Sequence, residues 1–300
     1  MVSVVVPTYN NGIQLISTIK NILNQNIQNL EVVVVDDGSS DDTCHQINQL
    51  NNNCIKYYKN NQNIGTTRSR IVGIKKATYQ YISFLDDDDL WFPKKLNKQL
   101  VEIKKSNCDF VMCNYLVNNM IDNNQYEKNL NSYSEKFLFN IIRRPGPFLQ
   151  CCLFQKKFLL NHVACFDPGS EPSEDWDFFI SISKSNPKIK NINESLFQWN
   201  LSLKSQSSLY NHEALAVEYI INKHYQYILK NSSFENVSLL YRKLASMFFY
   251  IKQFNASDRY FKKSIFLNPL SVKNLFLRVL ISFPKNIRIK TMSLFIKKII

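Results

Sequence analysis

Four consecutive aspartates give this sequence its clearest capacity for chemistry. Asp86, Asp87, Asp88 and Asp89 directly follow Tyr81–Leu85, a short apolar run with the pattern of a buried strand. Crowded carboxylates repel one another unless a divalent cation lies among them, and such oxygen ligands suit Mg²⁺ or Mn²⁺. Because ligands of open α/β sheets bind outside the carboxyl ends of the strands, the run predicts a ligand site. Taken alone, it fits equally well a solvated acidic turn that caps a following helix.

Two further acidic pairs lie beside predicted secondary structure. Asp36-Asp37 stops the apolar run Leu30–Val35, and Glu174-Asp175 precedes a predicted helix over Trp176–Ser183. Each pair also has a plain structural interpretation, the first as an ordinary turn and the second as a helix N-cap. The residue types alone leave these alternatives open.

Alternating strand and helix patterns near the N-terminus position these carboxylates. Apolar runs predict buried strands at Val2–Val6, Leu30–Val35 and Tyr81–Leu85, and Ile55–Lys59 predicts a further strand. Intervening segments predict helices at Ile13–Asn24, Asp41–Leu50 and Arg68–Ala77. Strands that alternate with helices imply parallel βαβ units and an α/β fold. No Gly-x-Gly-x-x-Gly turn follows the first strand, which argues against a dinucleotide-binding Rossmann protein.

Two segments in the middle of the chain lack this regular alternation. Asn118–Ser134 is polar and rich in asparagine, which predicts a variable loop. Leu149–Phe154 is apolar and predicts another strand.

From about Asn211 the sequence predicts helices alone, which suggests domains at 1–210 and 211–300. Apolar and small residues over about 238–269 match the spacing of one tetratricopeptide unit, with serine at the small positions. A single unit cannot form a solenoid, so we expect a helical hairpin that packs on the first domain. The tail Leu275–Ile300 is basic and amphipathic. It either lies on an anionic membrane or packs on the preceding helices, and the sequence leaves both open.

Composition limits the environment and the partners. The 300 residues carry a formal net charge of +13, which favours anionic partners without choosing among nucleotides, nucleic acid and acidic lipids. The seven cysteines are odd in number and lack Cys-x-x-Cys spacing, as expected for a reducing cytoplasm rather than for disulfides or a zinc site. The N-terminal residues do not read as a signal region, and no stretch is apolar enough to span a bilayer.

Five blocks of the sequence, in order, resemble family 2 glycosyltransferases. They are VSVVVPTYN (Val2–Asn10), VVVVDDGSSDDT (Val32–Thr43), NIGTTRSRIVGI (Asn63–Ile74), YISFLDDDDLWFPKKL (Tyr81–Leu96) and SEDWDFF (Ser173–Phe179). The resemblance implies a GT-A fold, which is Rossmann-like with a mostly parallel mixed sheet flanked by helices. Here a small all-α C-terminal region follows it.

The resemblance also implies roles for individual residues. Those matched to nucleotide-sugar binding are Pro7, Thr8 and Tyr9 for base and ribose, Asp37 for the base, Arg70 near the nucleotide, and Asp86 and Asp87 of the acidic run. Asp88 matches the metal ligand and Asp175 the general base. Glu174 and Trp176 lie close enough in sequence to Asp175 to line an acceptor pocket.

By this resemblance, the expected activity is metal-dependent, inverting transfer of a hexosyl or N-acetylhexosaminyl group. The donor is a nucleotide sugar, expected to be UDP-linked, and the cofactor is Mn²⁺ or Mg²⁺. The acceptor is a hydroxyl of a glycan or lipid-linked glycan in surface polysaccharide biosynthesis. We expect a cytoplasmic protein with peripheral contact at the inner face of the cell membrane and no nucleic-acid partner.

The sequence departs from the family pattern at two places. Ile71 stands where an asparagine usually follows the arginine, and Phe197–Leu201 carries no charge where a diphosphate-binding segment is common. Lys204 or a C-terminal lysine is the expected substitute for that charge.

Two alternatives to this function come from other classes of protein. A nucleotidyltransferase shares a related fold and metal carboxylates, but it needs a Gly-rich, lysine-bearing loop where Pro7–Asn10 stands. A catalytically inactive interaction scaffold fits the basic charge and the tetratricopeptide-like unit. The intact Asp88 and Asp175 argue against it.

Overall fold

The computed structural model of the protein describes residues 1–143, 146–201 and 210–299. These residues form two compact units. The first comprises 1–137, 146–168 and 174–201, and the second comprises 138–143, 169–173 and 210–299. The predicted domain boundary at residue 210 adjoins residues outside this description and stays a prediction.

A nine-stranded mixed sheet forms the centre of the first unit among the described residues. Its strands are β1 Val2–Thr8, β2 Leu30–Asp36, β3 Ile55–Lys59, β4 Tyr81–Phe84, β5 Leu90–Trp91, β6 Phe110–Asn119, β7 Asn124–Lys128, β8 Leu153–Gln155 and β9 Ile189–Leu201. The order is β3-β2-β1-β4-β8-β6-β9-β5, with β7 paired to β6. Strands β1 to β4 are parallel, as predicted, and β8, β7 and β5 run antiparallel to their neighbours.

Helices flank this sheet, as an α/β fold requires. In the first unit they are α1 Gly12–Leu23, α2 Thr43–Gln49, α3 Thr66–Lys76, α4 Lys95–Ser106, α5 Asn131–Glu135, α7 Lys156–Asn161 and α8 Glu174–Ser183. Helix α6 Phe137–Arg143 belongs, apart from Phe137, to the second unit. In α1 the fully buried residues Leu15, Ile19 and Ile22 recur at helical spacing, so this helix presents one apolar face to the core. The predicted α/β class is confirmed.

The segment Asn118–Ser134 is not the variable loop that its composition predicted. It contains the end of β6, all of β7 and most of α5, joined by a hairpin turn. Asn119 Oδ1 accepts hydrogen bonds from the amides of Ile121 and Asp122, which closes that turn. Because β7 is exposed along its whole length, its residues are polar and lack the alternation that marks a half-buried strand.

The prediction of a strand over Leu149–Phe154 was also wrong in part. Leu149–Cys151 forms a single 3₁₀ turn, and β8 begins only at Leu153. The turn is closed by a hydrogen bond from the amide of Cys151 to the carbonyl of Phe148. Both the turn and the strand are buried, so a short apolar run could not distinguish them.

Helices make up most of the second unit over its described residues. From residue 210 onward the helices are α9 Tyr210–Lys223, α10 Tyr225–Asn231, α11 Phe234–Tyr250, α12 Phe254–Leu267, α13 Val272–Ser282 and α14 Lys285–Ile299. A buried polar network joins α11, α12 and α13 at Asn274, whose Nδ2 donates to Ser238 Oγ and to the carbonyls of Ser264 and Asn268. Ser264, which occupies one of the small tetratricopeptide-like positions, also hydrogen-bonds Ser238, which explains serine at that position. Across the described residues, no helix combines the length and the hydropathy needed to cross a membrane.

Close packing of α3 on β1 leads to the first testable prediction. A Cβ atom on Gly73 would lie 2.2 Å from Val5 Cγ1, and Val5 is fully buried. We expect Gly73→Ala to lower the free energy of unfolding by about 1–2 kcal/mol in urea denaturation, because overpacking outweighs the better helix propensity of alanine. In a Val5→Ala background the added methyl group fills the space left by valine, so the same substitution should be nearly neutral. An equal loss in both backgrounds would contradict this packing argument.

Candidate active site at the carboxyl edge of the sheet

The carboxyl ends of β1, β2 and β4 lie side by side, because these three parallel strands are neighbours in the sheet. The predicted strand Val2–Val6 extends two residues further, so Pro7 and Thr8 end β1 and only Tyr9 lies in the loop that follows. Their part in binding a ligand stays a prediction. Pro7 is tolerated within the strand because the register of β1 with β4 stops at Val5 and Phe84, so its missing N–H has no partner there to lose. The side chain of Tyr9 is 49% exposed.

Arg70 is the centre of an ion cluster that joins distant parts of the chain. Its guanidinium is buried on α3 and donates from Nη2 to both oxygens of Asp86, at 2.8 and 3.1 Å, and from Nη1 to Glu174 Oε1 at 2.6 Å. Asp175 Oδ1 lies 3.9 Å from Nη1. Burial alone would lower the pKa of Arg70, but the carboxylates of Asp86, Glu174 and Asp175 raise it well above its ordinary value. Arg70 is therefore a permanent cation that brings the acidic run and the predicted base together.

Two other aspartates of the acidic run have polar partners. Asp87 accepts hydrogen bonds from Thr8 Oγ1 at 2.6 Å and from Asn11 Nδ2 at 2.9 Å. Burial, with a smaller contribution from the adjacent carboxylates, raises the pKa of Asp87 to about 7. Asp89 is buried and accepts from the backbone amide of Asn200 at 3.0 Å, and burial raises its pKa well above the usual range. Neither side chain caps a helix, because α4 begins only at Lys95. The run does form a turn, closed by a hydrogen bond from the amide of Asp89 to the carbonyl of Asp86, but its predicted helix-capping role is wrong.

Asp88 is the member of the run whose carboxylate remains available. Its side chain is exposed and has no hydrogen bond to another residue in the described ranges. Over those ranges, no group of three or more His, Cys, Asp and Glu side chains is arranged to hold a metal ion. A single free carboxylate fits Mg²⁺ or Mn²⁺ bound mainly through substrate phosphates, which is common for these cations. The donor set thus fits the predicted cation at Asp88.

Asp175 lies in the first turn of α8 and has one unpaired oxygen. Oδ2 accepts a hydrogen bond from the amide of Leu149 at 3.0 Å, whereas Oδ1 is buried without a hydrogen-bond partner among the described residues. Burial raises the pKa of Asp175 to about 7, although nearby Arg70 acts to lower it. A carboxylate with a pKa near neutrality and a free oxygen is suited to accept a proton.

The 3₁₀ turn at Leu149–Cys151 contains site residues that the sequence reasoning missed. Gln150 donates from Nε2 to Asp86 Oδ2, and its backbone carbonyl accepts a hydrogen bond from the indole N–H of Trp91 at 3.1 Å. The amide of Leu149 in the same turn holds Asp175. A glutamine inside an apolar run was the one signal available, since a buried amide needs a polar partner.

Asp37 has partners other than those predicted for it. The carboxylate is buried and accepts from Asn60 Nδ2 at 2.8 Å and from the amides of Ile64 and Gly65 at 2.9 and 2.8 Å. A carboxylate offers about four acceptor positions, so one remains for a nucleotide base. The sequence reasoning gave no role to Asp36, which accepts from the hydroxyl of Tyr57 and from the amide of Ser39.

The remaining predicted contacts are those of the acceptor pocket and of the diphosphate. Glu174 lies beside Arg70 with Oε2 unpaired within the described residues, and Trp176 is almost wholly buried in α8. Their predicted place in an acceptor pocket stays a prediction. The uncharged segment Phe197–Leu201 is the end of β9, and Lys204 lies outside the described residues.

Comparison with known sequences identifies the class of protein. The profile described as Glycosyl transferase family 2 matches residues 3–162, which is more than half of the chain. The chain belongs to this family. It is 34% identical over 190 residues to the Escherichia coli protein named UDP-Glc:alpha-D-GlcNAc-diphosphoundecaprenol beta-1,3-glucosyltransferase WfgD, covering 62% of this chain and 71% of WfgD. An uncharacterized glycosyltransferase of Rickettsia bellii is 33% identical over 190 residues, and the match spans only 26% of that longer protein and 62% of this chain.

Solved structures confirm the predicted GT-A fold with its helical C-terminal region. Staphylococcus aureus TarS 1-349, solved in complex with UDP-GlcNAc, aligns with a TM-score of 0.66 at 18% identity, over 96% of this chain and 88% of that one. The mannosyltransferase PcManGT of Pyrobaculum calidifontis, in complex with GDP-Man and Mn²⁺, aligns with a TM-score of 0.61 at 14% identity, over 99% and 84%. At such identities the likeness concerns the fold alone.

The buried position of Arg70 predicts a large effect on stability. Arg70→Met leaves the carboxylates of Asp86 and Glu174 buried without a cation, so we expect the free energy of unfolding to fall by about 3–5 kcal/mol. Lys98→Met is the matched control, because the ion pair of Lys98 with Glu194 is exposed and should contribute less than about 1 kcal/mol. Urea denaturation of both variants measures the difference. Equal losses would show that the Arg70 cluster is not stabilised by its charge.

The free carboxylate of Asp88 predicts a specific effect on nucleotide binding. We expect Asp88→Ala to reduce the affinity for UDP in Mn²⁺ to the value that the unmodified protein shows in EDTA, because the cation loses its protein ligand. Affinity in EDTA should not change. Isothermal calorimetry of Asp88→Ala, with Glu102→Gln as a control on the outer helix α4, measures this. Retention of the Mn²⁺-dependent gain in Asp88→Ala would remove this residue as the metal ligand.

Proposed function

We propose that the protein is a metal-dependent, inverting glycosyltransferase that moves a hexosyl or N-acetylhexosaminyl group from a UDP-sugar to a hydroxyl of a glycan or lipid-linked glycan. The proposal rests on two carboxylates of this site, Asp88 and Asp175. Among the described residues, the side chain of Asp88 has no hydrogen bond to another residue, and Asp175 Oδ1 accepts no hydrogen bond and lies 3.9 Å from Arg70 Nη1. Asp88 is suited to bind a cation, and Asp175 is suited to accept a proton.

Asp175 is the group that activates the acceptor in this proposal. A sugar hydroxyl is a poor nucleophile, and a positioned carboxylate that takes its proton as the new bond forms raises its reactivity. The amide of Leu149 holds Oδ2, so Oδ1 is the oxygen directed to the proton. One displacement from the face opposite the departing diphosphate inverts the anomeric carbon, and no covalent intermediate on the protein is needed.

The loops after β1, β2 and β4 bind the donor in this proposal. Pro7, Thr8 and Tyr9 contact base and ribose, Asp37 accepts from the base with its remaining position, and Asp87 lies near the ribose. Thr8 and Asn11 orient Asp87, so the β1 loop and the acidic run act together. A Mn²⁺ or Mg²⁺ held by Asp88 supplies the positive charge that stabilises the leaving diphosphate.

Names of relatives support the substrate classes. That of WfgD states a UDP-Glc donor and a diphosphoundecaprenol-linked acceptor, and the TarS complex contains UDP-GlcNAc. We infer that this chain uses a donor of the same nucleotide class and acts in the biosynthesis of a bacterial surface polysaccharide. A lipid-linked acceptor places the enzyme at the inner face of the cell membrane as a peripheral, cytoplasmic protein. No nucleic-acid partner is required.

The alternatives from the sequence have less support. A nucleotidyltransferase needs a Gly-rich, lysine-bearing loop after β1, and Pro7–Asn10 occupies that place. An inactive scaffold has no reason to keep Asp175 buried with a free oxygen, since an unpaired buried polar group costs stability. The glycosyltransferase proposal explains both features.

The first experiment on function identifies the donor. Thermal denaturation in Mn²⁺ with a panel of nucleotide sugars should show a raised midpoint for UDP-linked donors, because a ligand that binds only the folded state stabilises it. Glycosyl transfer from the stabilising donor to a lipid-linked glycan then tests turnover. Stabilisation by nucleoside triphosphates, with none by nucleotide sugars, would favour the nucleotidyltransferase instead.

The role of Asp175 predicts both a rate and a pH profile. Asp175→Asn keeps the shape of the side chain but cannot take the proton, so we expect kcat to fall by about 10²-fold or more while UDP binding is retained. In the unmodified protein, kcat should fall as pH decreases through about 7, because protonated Asp175 cannot act as a base. Glu194→Gln, which changes an exposed carboxylate, should keep the rate and the profile. Near-normal turnover by Asp175→Asn would leave this residue a structural role only.

A further inference from the structure

Helix α13 has two apolar faces, and the described residues cover only one of them. Leu277 and Leu280 are buried, together with Asn274. On the other side Val272, Phe276 and Val279 recur at helical spacing and are exposed, with Phe283 continuing the stripe just after the helix. Large contiguous apolar patches are rare on soluble monomers and mark interaction surfaces.

The end of α12 and its connection to α13 also carry exposed apolar residues. Phe266 is 84% exposed and Leu270, in the connection to α13, is 83% exposed. Between these two helices lies a groove of about 530 Å³. Its walls combine apolar and cationic side chains, namely Lys262, Ile265, Phe266, Pro269, Arg278 and Ile281. We call this groove together with the exposed stripe of α13 the α12–α13 face.

Positive charge is concentrated in the same part of the chain. Residues 251–300 contain eleven lysines and arginines but one acidic residue, Asp258, so they carry +10 of the net charge of +13. Asp258 is already paired with Arg288 at 2.6 Å. Lys262, Lys273 and Arg278 on the α12–α13 face are exposed. Arg259 is paired with Glu218, whereas Lys262, Lys273 and Arg278 form no ion pair with an acidic residue in the described part of the chain.

We propose that the α12–α13 face docks on an anionic lipid bilayer. Exposed apolar side chains such as Phe266, Phe276 and Val279 enter the boundary between headgroups and acyl chains, while Lys262 and Arg278 contact headgroup phosphates. Charge complementarity selects this occupant. A second copy of the chain would bring the same positive charge against itself, whereas an anionic bilayer offers both the opposite charge and an apolar layer.

The proposal locates the membrane contact that the proposed function requires. The sequence left open whether the tail Leu275–Ile300 packs or lies on a membrane. Both descriptions hold for different side chains of the tail. Leu277, Leu280, Met292 and Ile296 are buried, whereas the α12–α13 face is exposed and begins on α12, before the tail. Removing the tail would expose core residues, so the full chain with surface substitutions is the proper test.

The test measures binding of the full chain to vesicles of phosphatidylcholine alone and of phosphatidylcholine with phosphatidylglycerol. The apolar variant is Phe276→Ser with Val279→Ser, and its control is Val101→Ser with Leu160→Ser, two exposed apolar residues of the first unit. The charge variant is Lys262→Glu with Arg278→Glu, and its control is Lys56→Glu with Lys75→Glu, which changes the net charge equally. Circular dichroism confirms folding of all four.

In a flotation assay, we expect the unmodified protein to bind anionic vesicles, not to bind neutral vesicles, and to dissociate from the anionic ones at high salt. Each face variant should lose at least about tenfold in partition coefficient, and each control should change less than about twofold. UDP binding should be equal in all variants. Vesicle binding by a protein that binds no UDP would overturn the proposed function and leave this inference standing.

Three outcomes would overturn the inference. The unmodified protein fails to bind anionic vesicles, or the controls lose as much binding as the face variants. In the third outcome, sedimentation velocity shows a dimer that Phe276→Ser with Val279→Ser dissociates. The α12–α13 face would then be an interface between copies of the chain.

Discussion

The buried guanidinium of Arg70 is the interaction on which the rest of the site depends. A charge without water is costly, so it must be surrounded by opposite charge with good geometry. Arg70 meets this condition with Asp86 and Glu174, the second of which is 104 residues away in sequence. The contact fixes three elements at once, since Arg70 lies on α3, Asp86 after β4 and Glu174 at the start of α8. The guanidinium of Arg70 thus orients both the acidic run after β4 and the start of α8, which carries the predicted base Asp175.

This cluster also explains how four adjacent aspartates avoid mutual repulsion. Asp86 is neutralised by Arg70, and burial raises the pKa of Asp87 and Asp89 so that their charge is reduced near neutral pH. Only Asp88 then remains as an exposed carboxylate without a protein partner among the described residues. The run is therefore four carboxylates in different environments rather than a shared metal cage. Sequence alone could not separate them, because identical residues carry no information about their surroundings.

The sequence predicted the features that repeat or that match a motif. Strand patterns in the sequence located β1 to β4, and the family resemblance named Arg70, Asp88 and Asp175. The sequence reasoning missed Gln150 and Asn200, because a single amide side chain forms no periodic pattern and its partner lies far along the chain. Gln150 contacts Asp86 across 64 residues, and the side chain of Asn200 contacts the carbonyl of Asp88 across 112. The errors at Asn118–Ser134 and Leu149–Phe154 have a related cause, since composition reports burial and polarity but not backbone conformation.

The uncharged end of β9 supports the acidic run through hydrogen bonds. Asn200 donates from its backbone amide to the carboxylate of Asp89 and from its side-chain Nδ2 to the backbone carbonyl of Asp88. Phe197 and Gln198 pair with β5. This segment therefore holds the acidic run in place instead of offering positive charge to a diphosphate. In the proposed function, a cation at Asp88 rather than the end of β9 would supply positive charge to the diphosphate.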